Sequence, residues 1–122
     1  MTANRNANTV SVLWGKGGGT FAAKADYPTG VSPESVALGD LDADGKPDIV
    51  TANSSAGTVS VLLGKGDGTF ATNLDSPTGA NALSVVLGDV NRDGKLDLVT
   101  ANLNIVTTST TADVSVLLGA CK

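Results

Sequence analysis

Residues 38–53 read Leu-Gly-Asp-Leu-Asp-Ala-Asp-Gly-Lys-Pro-Asp-Ile-Val-Thr-Ala-Asn, and residues 87–102 read Leu-Gly-Asp-Val-Asn-Arg-Asp-Gly-Lys-Leu-Asp-Leu-Val-Thr-Ala-Asn. Both carry the pattern D-x-[DN]-x-D-G-x-x-D between two short apolar runs, 49 residues apart. The spacing extends well beyond this stretch. Residues 2–50 align with 51–99 without a gap, with 30 identities in 49 positions, and Thr-Ala-Asn recurs at 2–4, 51–53 and 100–102. The 122 residues therefore hold about 2.4 copies of a 49-residue unit, and self-similarity at such a period marks a repeat architecture. The third copy departs from the others through the Thr-rich segment Leu103–Asp113, which is six residues longer than its counterpart. An insert of this kind is expected in a loop.

Each unit reads as short strands. Ser35–Gly39 and Ser84–Gly88 are β-branched runs ending in glycine, and Asp48–Asn53 and Asp97–Asn102 follow the Asp-rich segments. Thr9–Gly15, Thr58–Gly64 and Asp113–Gly119 alternate, with Val59, Val61 and Leu63 on one face and Leu62 on the other, so cover is expected on both faces. Gly19–Ala22 and Gly68–Ala71 (Gly-Thr-Phe-Ala) are taken as a fourth strand after a Gly-Lys-Gly turn. Apolar residues at helical spacing are missing throughout. The fold class is all-β, with four short antiparallel strands per unit, as in one blade of a β-propeller. The chain reads as a single repeat domain, 1–122, made of a partial blade (2–34), a full blade (35–83) and an incomplete blade (84–119).

Composition narrows the function. A chain with 41 % hydrophobic and 16 % charged residues is too apolar for disorder. Aromatics make up 3 %, so the core is aliphatic. The net charge of −4 argues against a nucleic-acid partner. Histidine is absent, which removes the commonest zinc ligand and the Ser–His and Cys–His catalytic pairings. A single cysteine, Cys121, excludes an internal disulfide and reads as a free thiol. No apolar run reaches membrane-spanning length, and Met1–Val10 lacks the apolar stretch of a signal peptide. Carboxylate pairs occur only inside the Asp-rich segments, so an enzyme is not expected.

Those segments carry the chemistry. Oxygens at alternate positions converge when such a loop curls, and glycine at position 6 permits the sharp turn. Asp40, Asp42, Asp44 and Asp48 are the candidates in the first loop, with Lys46 offering its backbone carbonyl. Asp89, Asn91, Asp93, Asp97 and the Lys95 carbonyl are their counterparts in the second. An oxygen-only donor set selects a hard cation, and flexible coordination favours Ca²⁺ over Mg²⁺. Loop position 12 is Thr51 or Thr100 where an EF-hand requires Glu, and the flanks are strands, so the EF-hand reading fails. Seven of the twelve acidic residues lie in the two loops, and clustered carboxylates repel unless a cation neutralises them. Solvated Asp-Gly hairpin turns are the plainer alternative.

These stretches, with the downstream Val-Ser-Val-Leu-Leu-Gly-Lys-Gly-Asp-Gly-Thr-Phe segment, resemble the FG-GAP/VCBS repeat family, the blades of integrin-alpha-type β-propellers. The resemblance implies Ca²⁺ in each loop, adhesion or ligand binding outside the cell or at its surface, and ligation by the residues named above. It leads to the expectation of a calcium-binding, non-enzymatic module for assembly, adhesion or protein interaction. A lectin-like propeller with a protein or glycan ligand, and an accessory segment of a larger secreted protein, are the alternatives; scarce aromatics disfavour sugar. Repeat units bury their faces only against neighbours, so other copies of the chain or neighbouring blades of a longer one are the expected partners.

Other signals are weaker. Gly15–Thr20 and Gly64–Thr69 superficially suggest a phosphate loop but lack its spacing and its helix, and read as turns. Trp14 is expected in core or inter-blade packing, and Tyr27, in a variable linker, at an exposed contact. Asn53-Ser54-Ser55 is a glycosylation sequon.

Overall fold

The computed structural model describes residues 1–106 and 109–119, the side chains of 104–113 excepted. Among these residues there are only strands, turns and bends. Twelve strands run in chain order: β1 (Thr2–Asn4), β2 (Thr9–Val12), β3 (Gly15–Gly17), β4 (Thr20–Phe21), β5 (Ala25–Pro28), β6 (Pro33–Gly39), β7 (Asp48–Asn53), β8 (Thr58–Leu62), β9 (Leu74–Pro77), β10 (Ala82–Gly88), β11 (Asp97–Val106) and β12 (Ser109–Leu117). They form one four-stranded antiparallel sheet, β6-β7-β8-β9, between two three-stranded ones, β1-β2-β5 and β10-β11-β12, with a small β3-β4 hairpin at the side. The middle sheet is the complete repeat unit.

Period-2 alternation covers both faces of that sheet. Val50, Ala52 and Val59 face the third sheet and pack on Ala82, Val85 and Leu98. Ile49 and Leu62 face the first sheet and pack on Val10 and Val12. Every residue of β7 is buried. Two thin aliphatic cores thus lie between successive sheets, and each sheet depends on its neighbour for cover.

Two sequence expectations need correction. The fourth strand of each unit is not Gly-Thr-Phe-Ala but the segment after it: β5 pairs Thr9–Val12 of β2, and β9 pairs Thr58–Val61 of β8. Gly-Thr-Phe forms only the β3-β4 hairpin in the first unit and a single bridge, Gly64 to Phe70, in the second. Flanking glycines allow no longer ladder there, with Gly17, Gly18 and Gly19 all at positive φ. The Thr-rich insert is also not a loop in its stems. Leu103 to Val106 pair with Ala112 to Ser109, so the insert lengthens the β11-β12 hairpin, as β-branched residues favour. Cys121 lies outside the described residues.

Candidate metal centre

Each Asp-rich loop joins the first and second strands of a unit. Gly39 pairs with Asp48, and Gly88 with Asp97, at the mouths of the two loops. Inside them, Ala43 and Gly45, and equally Arg92 and Gly94, adopt left-handed backbone conformations, with φ of 61°, 82°, 63° and 84°. These turns aim successive N–H groups inward. The N–H groups of Asp44 and Gly45 donate to the Asp40 carboxylate at 3.1 and 2.8 Å, and those of Asp93 and Gly94 donate to Asp89 at 3.0 and 2.8 Å. The Asp44 N–H also reaches Asp42 at 3.3 Å, as that of Asp93 reaches the Asn91 amide oxygen at 3.2 Å. The two loops share one hydrogen-bond pattern.

Asp48 and Asp97 are fully buried. Asp48 accepts from the N–H of Leu41 and of Gly64, both at 2.8 Å. Asp97 accepts from Val90 at 2.8 Å and Gly119 at 2.7 Å. Each carboxylate therefore clamps its own loop to the end of the third strand. The Gly119 N–H, and behind it the Val90 N–H, hold the Asp97 carboxyl below the usual carboxylate range.

In the first loop Asp40, Asp42 and Asp48 each place one carboxylate oxygen within 4.8 Å of the others. A carboxylate has about four lone-pair sites, so the N–H bonds leave acceptor capacity at that convergence. Burial and the neighbouring Asp44 charge push the Asp42 carboxyl up. Asp44 stands outside the group. Its carboxylate accepts from the Lys46 N–H and the Lys46 ammonium, each at 2.9 Å, and that ammonium holds it below the usual range. In the second loop Asp93 likewise accepts from the Lys95 N–H at 3.0 Å, with the Lys95 ammonium 3.8 Å away. Asn91 replaces Asp42 and donates to Asp93 at 3.2 Å. Asp40 and Asp42 are half-buried, whereas Asp89 and Asn91 are exposed. An all-oxygen set, three carboxylates on one point, fits a hard divalent cation at the first loop.

The strand sequence also builds a polar device that pattern reading missed. The Asn53 amide donates to Thr58 at 3.1 Å and Ser60 at 2.8 Å and accepts from Thr51 at 3.0 Å. Ser60 donates to Asp75 at 2.6 Å and accepts from the Gly30 N–H at 2.8 Å, which ties the first unit to the second. Asn102, Thr100, Ser115 and Gly79 repeat it at the next junction. The signal was present: Thr-Ala-Asn and Val-Ser-Val keep polar residues in otherwise apolar strands of all three copies. The sequon at Asn53 is consequently fully buried and spent on this network.

The remaining motifs are turns and packing. The Gly15–Thr20 segment is the exposed β3-β4 hairpin, with a strand rather than a helix after it. Trp14 packs against the core between the first and second sheets, as expected. Tyr27 corrects its expectation: it lies on β5, packs on the same core, and meets Phe70 edge-on with ring centroids 5.4 Å apart.

The model of the FG-GAP-like repeat family matches residues 1–51 and 40–100, and the chain belongs to this family. Neither curated proteins nor solved structures gave a match. The family supports a repeat module for protein interaction; its repeats are typically non-enzymatic and commonly extracellular. Among the described residues no helix is long and apolar enough to cross a membrane.

Proposed function

We propose that the chain is a calcium-braced, non-enzymatic interaction module acting outside the cell or at its surface. The convergence of Asp40, Asp42 and Asp48 carries this reading. Ca²⁺ there is held by those three with Asp44 and the Lys46 carbonyl, the Asp44 carboxylate leaving the Lys46 ammonium for the cation. Asp89, Asn91, Asp93, Asp97 and the Lys95 carbonyl form the second site. The first binds more tightly, because it has one more carboxylate. Cation binding to the folded loops alone becomes folding energy, about 2.7 kcal/mol per site at a hundredfold excess over Kd. Thermal melts in calcium and in chelator test this: a markedly higher Tm in calcium is expected, and coincident melts at low salt would refute it.

The partner surface follows from the repeat. Val86, Ala101, Val114 and Val116 are exposed on one face of the third sheet. Their equivalents in the middle sheet are Ala37, Ala52, Val59 and Val61, and these pack against the third sheet. A further sheet of the same kind, from another copy of the chain or a neighbouring blade, covers the valine face. Val116→Asp is expected to lower the sedimentation-derived mass of the chain at high concentration; a wild-type chain that stays monomeric there would rule out the copy as partner.

A further inference from the structure

The chain carries the dipeptide Asp-Gly three times, at Asp44–Gly45, Asp67–Gly68 and Asp93–Gly94. The three glycines share a left-handed φ, of 82°, 87° and 84°. At all three sites the aspartate carboxylate accepts the N–H two residues on, from Lys46 at 2.9 Å, Thr69 at 2.8 Å and Lys95 at 3.0 Å. Each of these bonds spans the intervening glycine peptide and folds the carboxyl back over it. The sites differ in what the glycine N–H does. Gly45 donates to Asp40 and Gly94 to Asp89, both at 2.8 Å. Gly68 donates to no group among the described residues. Asp67 is exposed, and the oxygen that meets the Thr69 N–H also accepts from the Thr69 hydroxyl, at 2.5 Å.

In an Asp-Gly pair the glycine nitrogen attacks the carboxyl carbon of the aspartate, with no side chain on the glycine to hinder it. A C–N bond forms, the N–H proton leaves with the carboxyl OH as water, and a five-membered succinimide closes. Water then opens one of the two ring carbonyls, giving back aspartate or giving isoaspartate, whose backbone runs through the side-chain carbons. Nothing is oxidised or reduced. Closure needs the glycine peptide to turn its nitrogen onto the carboxyl carbon, and a peptide held by a carboxylate must first give up that charge-assisted bond. At Asp67 the two Thr69 donors face the oxygen on which negative charge grows as the nitrogen adds. We propose that Asp67–Gly68 is the chain's site of spontaneous isoaspartate formation, and that Asp40 and Asp89 protect the other two pairs. The reacting pair lies outside both Asp loops, and the protecting N–H bonds require no ion. Its place in the fold gives the change a consequence. The Lys65 N–H closes this turn on the Thr69 carbonyl at 3.0 Å, and a Cβ on Gly68 would lie 2.8 Å from Trp14 Nε1. A backbone lengthened at residue 67 therefore shifts Gly68 against the chain's one tryptophan, at the junction of the first and second sheets.

The test is incubation of the 122-residue chain at neutral pH in chelator and heavy-oxygen water, folded and, in parallel, unfolded in urea. Peptide mapping with electron-transfer fragmentation reads isoaspartate and the incorporated oxygen at each of the three sites. In the folded chain Asp67 is expected to isomerise faster than Asp44 and Asp93 by about tenfold or more, the rate equivalent of one hydrogen bond to a charged group. In urea the three rates are expected to converge, because the dipeptide is the same. Ageing is also expected to shift the Trp14 fluorescence of the wild type but not of Asp67→Gly, which copies Gly18 of the first unit. Equal rates at the three sites in the folded chain, no isoaspartate at Asp67, or a difference that persists in urea would overturn the proposal. A Trp14 shift of the same size in Asp67→Gly would overturn its consequence at the junction.

Discussion

Asp48→Ala separates the structural work of the first loop from cation binding. The Asp48 carboxylate is fully buried and accepts two backbone N–H groups, from Leu41 and Gly64, at 2.8 Å. Alanine leaves both donors without a partner. A buried donor left unmet costs about 1–3 kcal/mol, so the pair should cost about 2–6 kcal/mol. That is a large part of the roughly 5–15 kcal/mol available to a domain. Asn at this position keeps one acceptor but turns an amide NH₂ toward the other donor, so Asp48→Asn should recover little. Asp42→Ala is the contrast. Asp42 accepts only one N–H, at 3.3 Å, and its loss in chelator should cost about 0.5 kcal/mol or less while abolishing calcium binding at that loop. Urea denaturation in chelator, followed by circular dichroism, reads both. With an m-value of about 2 kcal/mol/M, Asp48→Ala should lower the midpoint by about 1–3 M. A loss below about 1 kcal/mol in chelator, or equal losses for the two variants, would refute the assignment of Asp48 as a clamp.

Gly64→Ala should destabilise the fold by about 1–3 kcal/mol, since its Cβ would fall 2.1 Å from the Pro47 carbonyl oxygen; denaturation of this variant beside Gly15→Ala, which meets nothing within 4 Å, checks it. Ser60→Ala removes the hydroxyl that joins Asn53, Asp75 and the Gly30 N–H, and should cost about 1–3 kcal/mol and loosen amide-exchange protection at Gly30 first. Acid should separate the two cation sites. Burial and Asp44 raise the Asp42 carboxyl above 3.8, so protons displace calcium from the first loop as pH falls toward that raised value, while the second loop carries the neutral Asn91 there. Calcium titrations across pH 4 to 6 should show the first affinity falling earlier. The Asp97 carboxyl, lowered by the Gly119 N–H, contributes stability that is present above 3.8 and is lost only as pH drops through its depressed value.

The repeat, the first three strands of each unit and both Asp loops were legible because each rests on local spacing. Val-Ser-Val-Leu alternates with period 2, and Asp-x-Asp-x-Asp-Gly curls on its own N–H groups. The fourth strand was not. Ala25–Pro28 and Leu74–Pro77 have weak apolar alternation and mixed exposure, since an edge strand is held by its ladder on one side and carries charge and proline on the other. Gly-Thr-Phe looked more strand-like than it is, because Phe70 is apolar for packing against Tyr27 rather than for a ladder. Asp48 was legible as a candidate ligand but not as a clamp, for its second partner, Gly64, lies 16 residues along and meets it only through the β7-β8 pairing. The capture of Asp44 by Lys46 likewise depends on a rotamer that spacing does not determine.

Calorimetric titration of the chain with calcium at neutral pH is the most direct measurement of the cation claim. Two equivalents per chain are expected, the tighter one lost in Asp42→Ala and the weaker in Asp89→Ala. Heat no greater than dilution, or two full equivalents surviving in both variants, would contradict it.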